Sequence, residues 1–106
     1  MHPIAEKDWK RLRAKQEEKL DQVCETIINN IKPAMKVQAH GHHKAYLEIW
    51  DIIHTGDAKI VEMFDDLRRS NAVFKLAAWQ KYGLLNETEL KEFSEETQAS
   101  IDAINS

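Results

Sequence analysis

The sequence predicts an all-α fold, specifically a four-helix bundle-like domain with long first and third helices. Apolar residues at the start of the chain recur in steps of three and four, which is the period of a helix with one buried face. This first stripe comprises Trp9, Leu12, Gln16, Leu20, Val23, Ile27 and Ile31. The same period returns in three later segments, and strand-like alternation is missing. Residues 1–106 are therefore expected to form a single helical domain.

Helix one is predicted over about 5–32, because Pro33 disfavours helical geometry in the residue before it. Residues 33–41 are then an irregular connector. Helix two is predicted over about 43–54, followed by a turn at Thr55-Gly56-Asp57 whose side chains can cap the next helix.

Helix three is predicted as one element over about 58–82. Its stripe stays in phase from end to end through Ile60, Phe64, Leu67, Asn71, Phe74, Ala78 and Tyr82. Ser70-Asn71 is its weakest point, because both side chains compete for backbone hydrogen bonds. A break there would give two shorter helices.

The end of helix three has a clear local signal. Gly83 suits the left-handed position that follows a helix, and Leu84 would then contact Trp79 in a Schellman motif. A helix that stops at this point leaves a short connection to the next one.

Helix four is predicted over about 87–104. Asn86 can cap its start while Glu89 reaches back in a capping box, and Leu85 and Leu90 form the hydrophobic staple. The expected buried residues of this helix are Leu90, Phe93, Thr97, Ile101 and Ile104.

The composition of the chain bears on its class and on its cellular compartment. No apolar run approaches the roughly 18–20 residues that span a bilayer, so no membrane partner is expected. The first eight residues lack the hydrophobic core of a secretion signal. The single cysteine, Cys24, excludes an intrachain disulfide and a cysteine-based zinc site. Together these features favour a cytoplasmic protein.

Charge is distributed unevenly along the chain, with a basic start to helix one and an acidic helix four. We expect these two segments to face one another, within one chain or between two. Exposed ion pairs stabilise by only about 0–1 kcal/mol, so such pairing would set orientation more than stability. The acidic helix four also argues against a helix-turn-helix DNA reader, and no nucleic-acid partner is expected.

Unequal helix lengths suggest self-association. At 1.5 Å per residue the predicted helices are about 42, 18, 37 and 27 Å long, so the long ones should lack full cover. Trp9 and Leu12 are expected to be left over and to mark a partner surface, most simply a homodimer contact. The sequence thus predicts a self-associating interaction module rather than an enzyme, with Lys10, Arg11 and Arg13 steering an acidic protein partner. Its proposed contact residues are Trp9, Lys10, Leu12, Arg13 and Leu20.

An alternative function rests on paired carboxylates. Glu48 and Asp51 are three residues apart on helix two, as are Glu62 and Asp65 on helix three. This pattern resembles the MazG-like all-α nucleoside triphosphate pyrophosphohydrolases, over roughly residues 43–90. The resemblance implies a magnesium-dependent enzyme whose four carboxylates meet across a helical hairpin.

The chain departs from that family in three respects, the first being that its first motif is Glu-x-x-Asp where the family has Glu-x-x-Glu. Lys44-Ala45 stands where an acidic pair is expected, and only ten residues separate the two motifs. Solvated surface charge is the interpretation we favour for these carboxylates.

A second alternative is a histidine-based metal site formed by His40, His42 and His43. Imidazole is a common ligand of transition metals. Adjacent histidines project in different directions, however, so a site would need further donors. A polar helix start is the simpler interpretation.

Overall fold

A computed structural model describes residues 3–36 and 40–106 of the chain. Over these residues the fold is all-helical, as the sequence predicts, with no strand. It contains five α-helices and one short 3-10 helix instead of the four helices expected. They are α1 (Glu6–Ala34), α2 (Gly41–Phe64), the 3-10 helix (Arg69–Asn71), α3 (Ala72–Lys81), α4 (Glu87–Leu90) and α5 (Glu95–Asn105). The two longest helices are the first and the second, not the first and the third.

The molecule is elongated, with principal extents of 52 × 25 × 23 Å. One part, which we call the arm, comprises residues 24–36 and 40–59, where α1 and α2 pack against each other. The rest, which we call the body, consists of α3, α4 and α5 packed against the start of α1 and the end of α2. The described core cluster draws all its buried members from the body: Ile4, Leu12, Met63, Phe64, Ala72, Val73, Leu76, Ala77, Ala78, Trp79, Leu85, Phe93 and Ile101.

Helix α1 runs past the proline that was expected to stop it. The predicted end at residue 32 is wrong by two residues, because Pro33 lies inside the last turn and the helix ends at Ala34. The N–H of Met35 still bonds to the carbonyls of Ile31 and Lys32, at 3.1 and 3.2 Å. The predicted connector is therefore shorter than 33–41, and its residues 37–39 lie outside the described part.

The predicted turn at Thr55-Gly56-Asp57 is wrong, because α2 continues through it without interruption. Gly56 is buried, and a Cβ atom built on it would lie 2.6 Å from the Cδ1 atom of Ile27 on α1. The glycine thus serves as the small residue at a close helix crossing rather than as a turn. This crossing sets the distance between the two helices of the arm.

The predicted continuous helix over 58–82 is also wrong. Helix α2 ends at Phe64, and Asp66 adopts a left-handed conformation with φ of 52°. The side chain of Asn71 holds the break: its Nδ2 donates to the carbonyl of Asp66, and its Oδ1 accepts from the N–H of Arg68, both at 2.9 Å. The predicted weak point at Ser70-Asn71 therefore lies at the far end of the actual break.

Helix α3 satisfies the carbonyl groups left free at the end of α2. The indole Nε1 of Trp79 donates to the carbonyl of Met63 at 3.0 Å, and Lys75 Nζ donates to the carbonyl of Glu62 at 3.1 Å. Trp79 is fully buried and packs on Phe64 at a ring distance of 5.4 Å. The base of α2 is therefore fixed to the body.

The signals after α3 are confirmed. Gly83 has a φ of 77°, and the N–H of Leu84 bonds to the carbonyl of Trp79 at 2.7 Å, as a Schellman motif requires. Asn86 and Glu89 form the predicted capping box.

The last predicted helix, 87–104, is in fact two helices. Helix α4 ends at Leu90, and Ser94 caps α5 by accepting a hydrogen bond from the N–H of Thr97. The predicted buried face is nevertheless confirmed across both pieces: Phe93, Thr97 and Ile101 are buried, and Leu90 and Ile104 pack partly buried against the core.

Candidate interaction surface

Four large apolar side chains of α2 are exposed side by side, and we call them the α2 stripe: Tyr46, Leu47, Trp50 and Ile53. They are 63%, 49%, 55% and 49% exposed, respectively. Their spacing of one, four and seven residues places them on one face of the helix. The described part of the chain does not cover this face.

The opposite face of α2 is apolar as well, and it is covered. Ala45, Gly56 and Met63 are buried, and Ile49 and Ile52 are half-buried. An apolar face on a helix normally packs against other protein. In α2 only one of the two apolar faces is covered by residues 3–36 and 40–106 of its own chain.

The ring of Trp50 is held in place by a neighbour one turn further along. His54 stacks on it with ring centroids 4.8 Å apart and an interplanar angle of 10°. This contact reduces the conformational freedom that Trp50 would lose on binding a partner. The α2 stripe therefore presents a partly pre-ordered aromatic centre.

The two ends of the stripe differ in charge. His42, His43 and Lys44 lie exposed in the first turn of α2, which contains no acidic residue. Asp57 lies exposed two turns beyond Trp50. The surface thus begins at imidazole groups, has an apolar centre and ends at a carboxylate.

The residues that the sequence proposed as contacts lie elsewhere. Leu12 is completely buried, so the expectation that it would be left uncovered is wrong. Trp9 and Leu20 are half-buried and pack against the core. The start of α5 covers this part of α1, as hydrogen bonds from Ser94 and Thr97 to Asp8 show.

The side chains of Lys10 and Arg13 are exposed, that of Arg11 is half-buried, and all three are engaged with their own helix. Lys10 pairs with Glu6 at 3.7 Å, and the guanidinium of Arg13 lies 5.8 Å from the centre of the Trp9 ring. Arg11 pairs with the buried carboxylate of Asp8 at 3.7 Å. Steering of an acidic partner by Lys10, Arg11 and Arg13 stays a prediction.

The expected pairing of the basic and acidic segments is confirmed, and it occurs within one chain. Lys19 lies 2.6 Å from Glu89, and Lys15 lies 3.0 Å from Glu92 and 3.7 Å from Glu89. Burial raises the pKa of Glu89, but the hydrogen bond from Lys19 and the other interactions outweigh it, so its pKa lies below the ordinary value. The hydrogen bond with Glu92 raises the pKa of Lys15.

The four carboxylates of the hydrolase hypothesis do not converge. Glu48, Asp51 and Glu62 all lie on α2, and Asp65 ends it, so the two pairs are about 21 Å apart along one helix. The expected placement on two facing helices is wrong for the same reason as the predicted turn at Gly56.

Of these four groups, Glu62 has structural partners. It accepts a short hydrogen bond from the hydroxyl of Tyr82 and lies 3.6 Å from Lys81. The Tyr82 hydrogen bond is the main reason that the pKa of Glu62 lies below its ordinary value. These contacts join α2 to the end of α3.

The histidines of the metal hypothesis are exposed at and just before the start of α2. Within residues 3–36 and 40–106, no group of three or more histidine, cysteine, aspartate or glutamate side chains is arranged to hold a metal ion. His40, His42 and His43 therefore gain no further donor from the described part of the fold.

A groove of about 670 Å³ runs along another flank of the arm, between α1, α2 and the turn after α3. Its lining mixes apolar residues such as Met63 with polar ones such as Thr26, Asp51 and Lys59. No buried side-chain polar atom of the described residues lacks a hydrogen-bond partner. The groove therefore contains no polar group that demands a ligand.

No α-helix in the described ranges is both long and apolar enough to cross a membrane. Searches against protein-family models, curated proteins and solved structures find no match.

Proposed function

We propose that this protein is a helical interaction module that self-associates through the α2 stripe. One observation carries the proposal: Tyr46, Leu47, Trp50 and Ile53 are each about half exposed on a helix whose other apolar face is already packed. Contiguous apolar surface of this kind is typical of protein-binding sites.

The shape of the surface favours a protein partner over a small molecule. Small ligands bind in concave sites, whereas the α2 stripe lies on the convex outside of a helix. A helix of similar width packs well on such a face, because its ridges fit between the exposed side chains. A second copy of the chain supplies such a helix without any other protein, and two-fold dimers are the commonest oligomers.

The expected affinity follows from the apolar surface of the α2 stripe that a dimer would bury. Full burial of a large apolar side chain stabilises by about 1.5–3 kcal/mol, so eight half-exposed side chains in a dimer contribute roughly 6–12 kcal/mol. Association costs about 4–15 kcal/mol in lost freedom of motion. The net stabilisation is then at most about 8 kcal/mol, so we expect a weak, reversible dimer with a dissociation constant of about 1 μM or higher.

Sedimentation equilibrium over about 1 μM to 1 mM tests the proposal. Wild-type protein should shift from monomer to dimer with concentration, and Trp50→Ser should remain monomeric at concentrations where the wild type associates. Phe74→Ser is the matched control, because Phe74 is 50% exposed on α3, away from the stripe. This control should associate like the wild type.

A wild-type protein that stays monomeric over the whole range would contradict the proposal. So would a Trp50→Ser variant that associates as strongly as the wild type. Circular dichroism of both variants checks that each keeps its helical content.

A further inference from the structure

The exposed face of α2 is nearly symmetric about Trp50. Residues three positions to either side are Leu47 and Ile53, which are both branched aliphatic side chains. Those four positions away are Tyr46 and His54, which are both aromatic. All these positions share the face of the stripe, because three, four and seven residues bring a helix back to the same side.

At a distance of seven residues from Trp50, a hydrogen-bond donor on one side corresponds to an acceptor on the other. His43 precedes Trp50 by seven residues and Asp57 follows it by seven, and both are exposed. Within the described part of the chain Asp57 takes part in no ion pair. An imidazole donates an N–H to a carboxylate in either of its protonation states.

We propose, on the basis of the self-association argued above, that two copies pair antiparallel through α2. Trp50 lies at the two-fold axis, and His43 of each chain meets the partner's Asp57. His43 and Asp57 are then the residues that set orientation and specificity, while the α2 stripe supplies the burial.

Antiparallel packing follows from what each residue would face. With the axis at Trp50, Leu47 meets the partner's Ile53, and Tyr46 meets the partner's His54. In a parallel pair each residue faces its own equivalent, which sets Asp57 against the partner's Asp57. Like charges in that position repel, and parallel helix dipoles repel as well.

The described part of the chain leaves room for this contact. The seven positions involved are all exposed, and they cover about 21 Å of helix. Trp50 is also held by its stack on His54, so the central residue is already oriented before association.

Charge reversal tests the orientation. His43→Glu should weaken the dimer about three- to tenfold, because it sets two carboxylates against each other twice per dimer. Asp57→Lys should weaken it as well, because the carboxylate that accepts the imidazole N–H is lost twice per dimer. The double variant His43→Glu/Asp57→Lys should return to within about threefold of the wild-type dissociation constant, because both contacts become Glu–Lys pairs. A parallel dimer would show no such rescue.

Matched controls lie on the same helix but away from the stripe. Lys44→Glu and Glu48→Lys change exposed charges without facing the partner, so each should leave the dissociation constant within about twofold of wild type. Any general effect of net charge would appear in these controls.

Distance measurement provides a second, independent readout. In a Cys24→Ser background, spin labels at Asp51→Cys should lie close to each other across the axis. Labels at Lys44→Cys should lie about 15 Å further apart along the helix, because residue 44 is six positions from the axis and residue 51 only one. Equal distances at both positions would overturn the antiparallel arrangement.

The possible failures are distinguishable. A wild-type protein that never dimerises overturns self-association and the orientation with it. A dimer that Trp50→Ser disrupts, but that the double variant fails to restore, overturns only the antiparallel pairing. Single charge variants that bind like the wild type overturn the role of His43 and Asp57.

Discussion

The carboxylate of Asp8 in the first turn of α1 binds Ser94 at the start of α5, 86 residues later in the chain. The N–H of Ser94 donates to Oδ1 at 3.0 Å, and its hydroxyl donates to Oδ2 at 2.6 Å. The hydroxyl of Thr97 donates to the same oxygen at 2.7 Å. Asp8 is 0% exposed, and its negative charge lies at the positive end of the α5 dipole. The two ends of the chain are thus joined by one buried anion.

Replacing Asp8 by asparagine should lower the free energy of unfolding by about 2–3 kcal/mol, because hydrogen bonds to a charged group are lost inside the protein. Urea denaturation measures this change. The matched control is Asp102→Asn at an exposed position of α5, which should change stability by less than about 0.5 kcal/mol. Equal effects of the two substitutions would contradict the structural role of Asp8.

The same carboxylate should make stability depend on pH in the acid range. Burial raises the pKa of Asp8, but the hydrogen bonds from Ser94 and Thr97 and the charge of Arg11 outweigh it, so its pKa lies below the ordinary value. A lowered folded-state pKa stabilises the fold above the unfolded pKa of about 3.9 and loses that effect as pH falls through the folded pKa. Wild type should therefore lose stability below about pH 4 more steeply than Asp8→Asn in urea titrations from pH 6 to 2.5. Parallel curves would exclude Asp8 as a source of this dependence.

The ion pair between Lys19 and Glu89 should respond differently to single and double substitution. Lys19 is 4% exposed, so Lys19→Met leaves the partly buried Glu89 without its closest partner and should destabilise by about 1–3 kcal/mol. Adding Glu89→Gln removes the charge that has lost its closest partner and keeps a capping-box side chain, so most of the loss should be recovered. Thermal denaturation of Lys19→Met, of Glu89→Gln and of the double variant checks this. Additive effects of the two substitutions would contradict it.

Gly56→Ala should destabilise the arm although alanine favours helices. The new methyl group would meet the side chain of Ile27, and overpacking of this kind costs about 1–3 kcal/mol. In an Ile27→Ala background the obstacle is gone, and Gly56→Ala should instead stabilise by up to about 1 kcal/mol, the ordinary helix preference. A double-mutant cycle by urea denaturation measures the coupling. Additive effects would mean that the two helices do not meet at this point.

Local signals were sufficient where the structure depends on neighbouring residues. The Schellman motif at Gly83 and the capping box of Asn86 and Glu89 involve partners within five residues, so the sequence predicted both. The buried face over 90–104 was predicted too, because helical periodicity persists across the short break before α5. The cap at Ser94 was missed, although a serine followed by two acidic residues and Thr97 is a recognisable start of a helix.

The remaining errors come from contacts between distant residues. Gly56 looked like a turn because the sequence does not show that Ile27 passes close to it. The exposed face of α2 was missed for a related reason. Its residues alternate between two apolar faces, and only the packing of α1 decides which of the two is covered. Leu12 was expected to lack cover because the predicted helices differ in length. The return of α5 onto α1, which covers it, depends on the buried Asp8 and was not visible in the sequence.

Helix α2 has one consequence for mechanics. It passes without a hinge from the exposed Trp50 to the buried Met63, whose carbonyl accepts the indole N–H of Trp79. A force applied to the arm is therefore transmitted along α2 to the core of the body. A partner bound to the outer half of α2 would therefore hold the body at a defined angle.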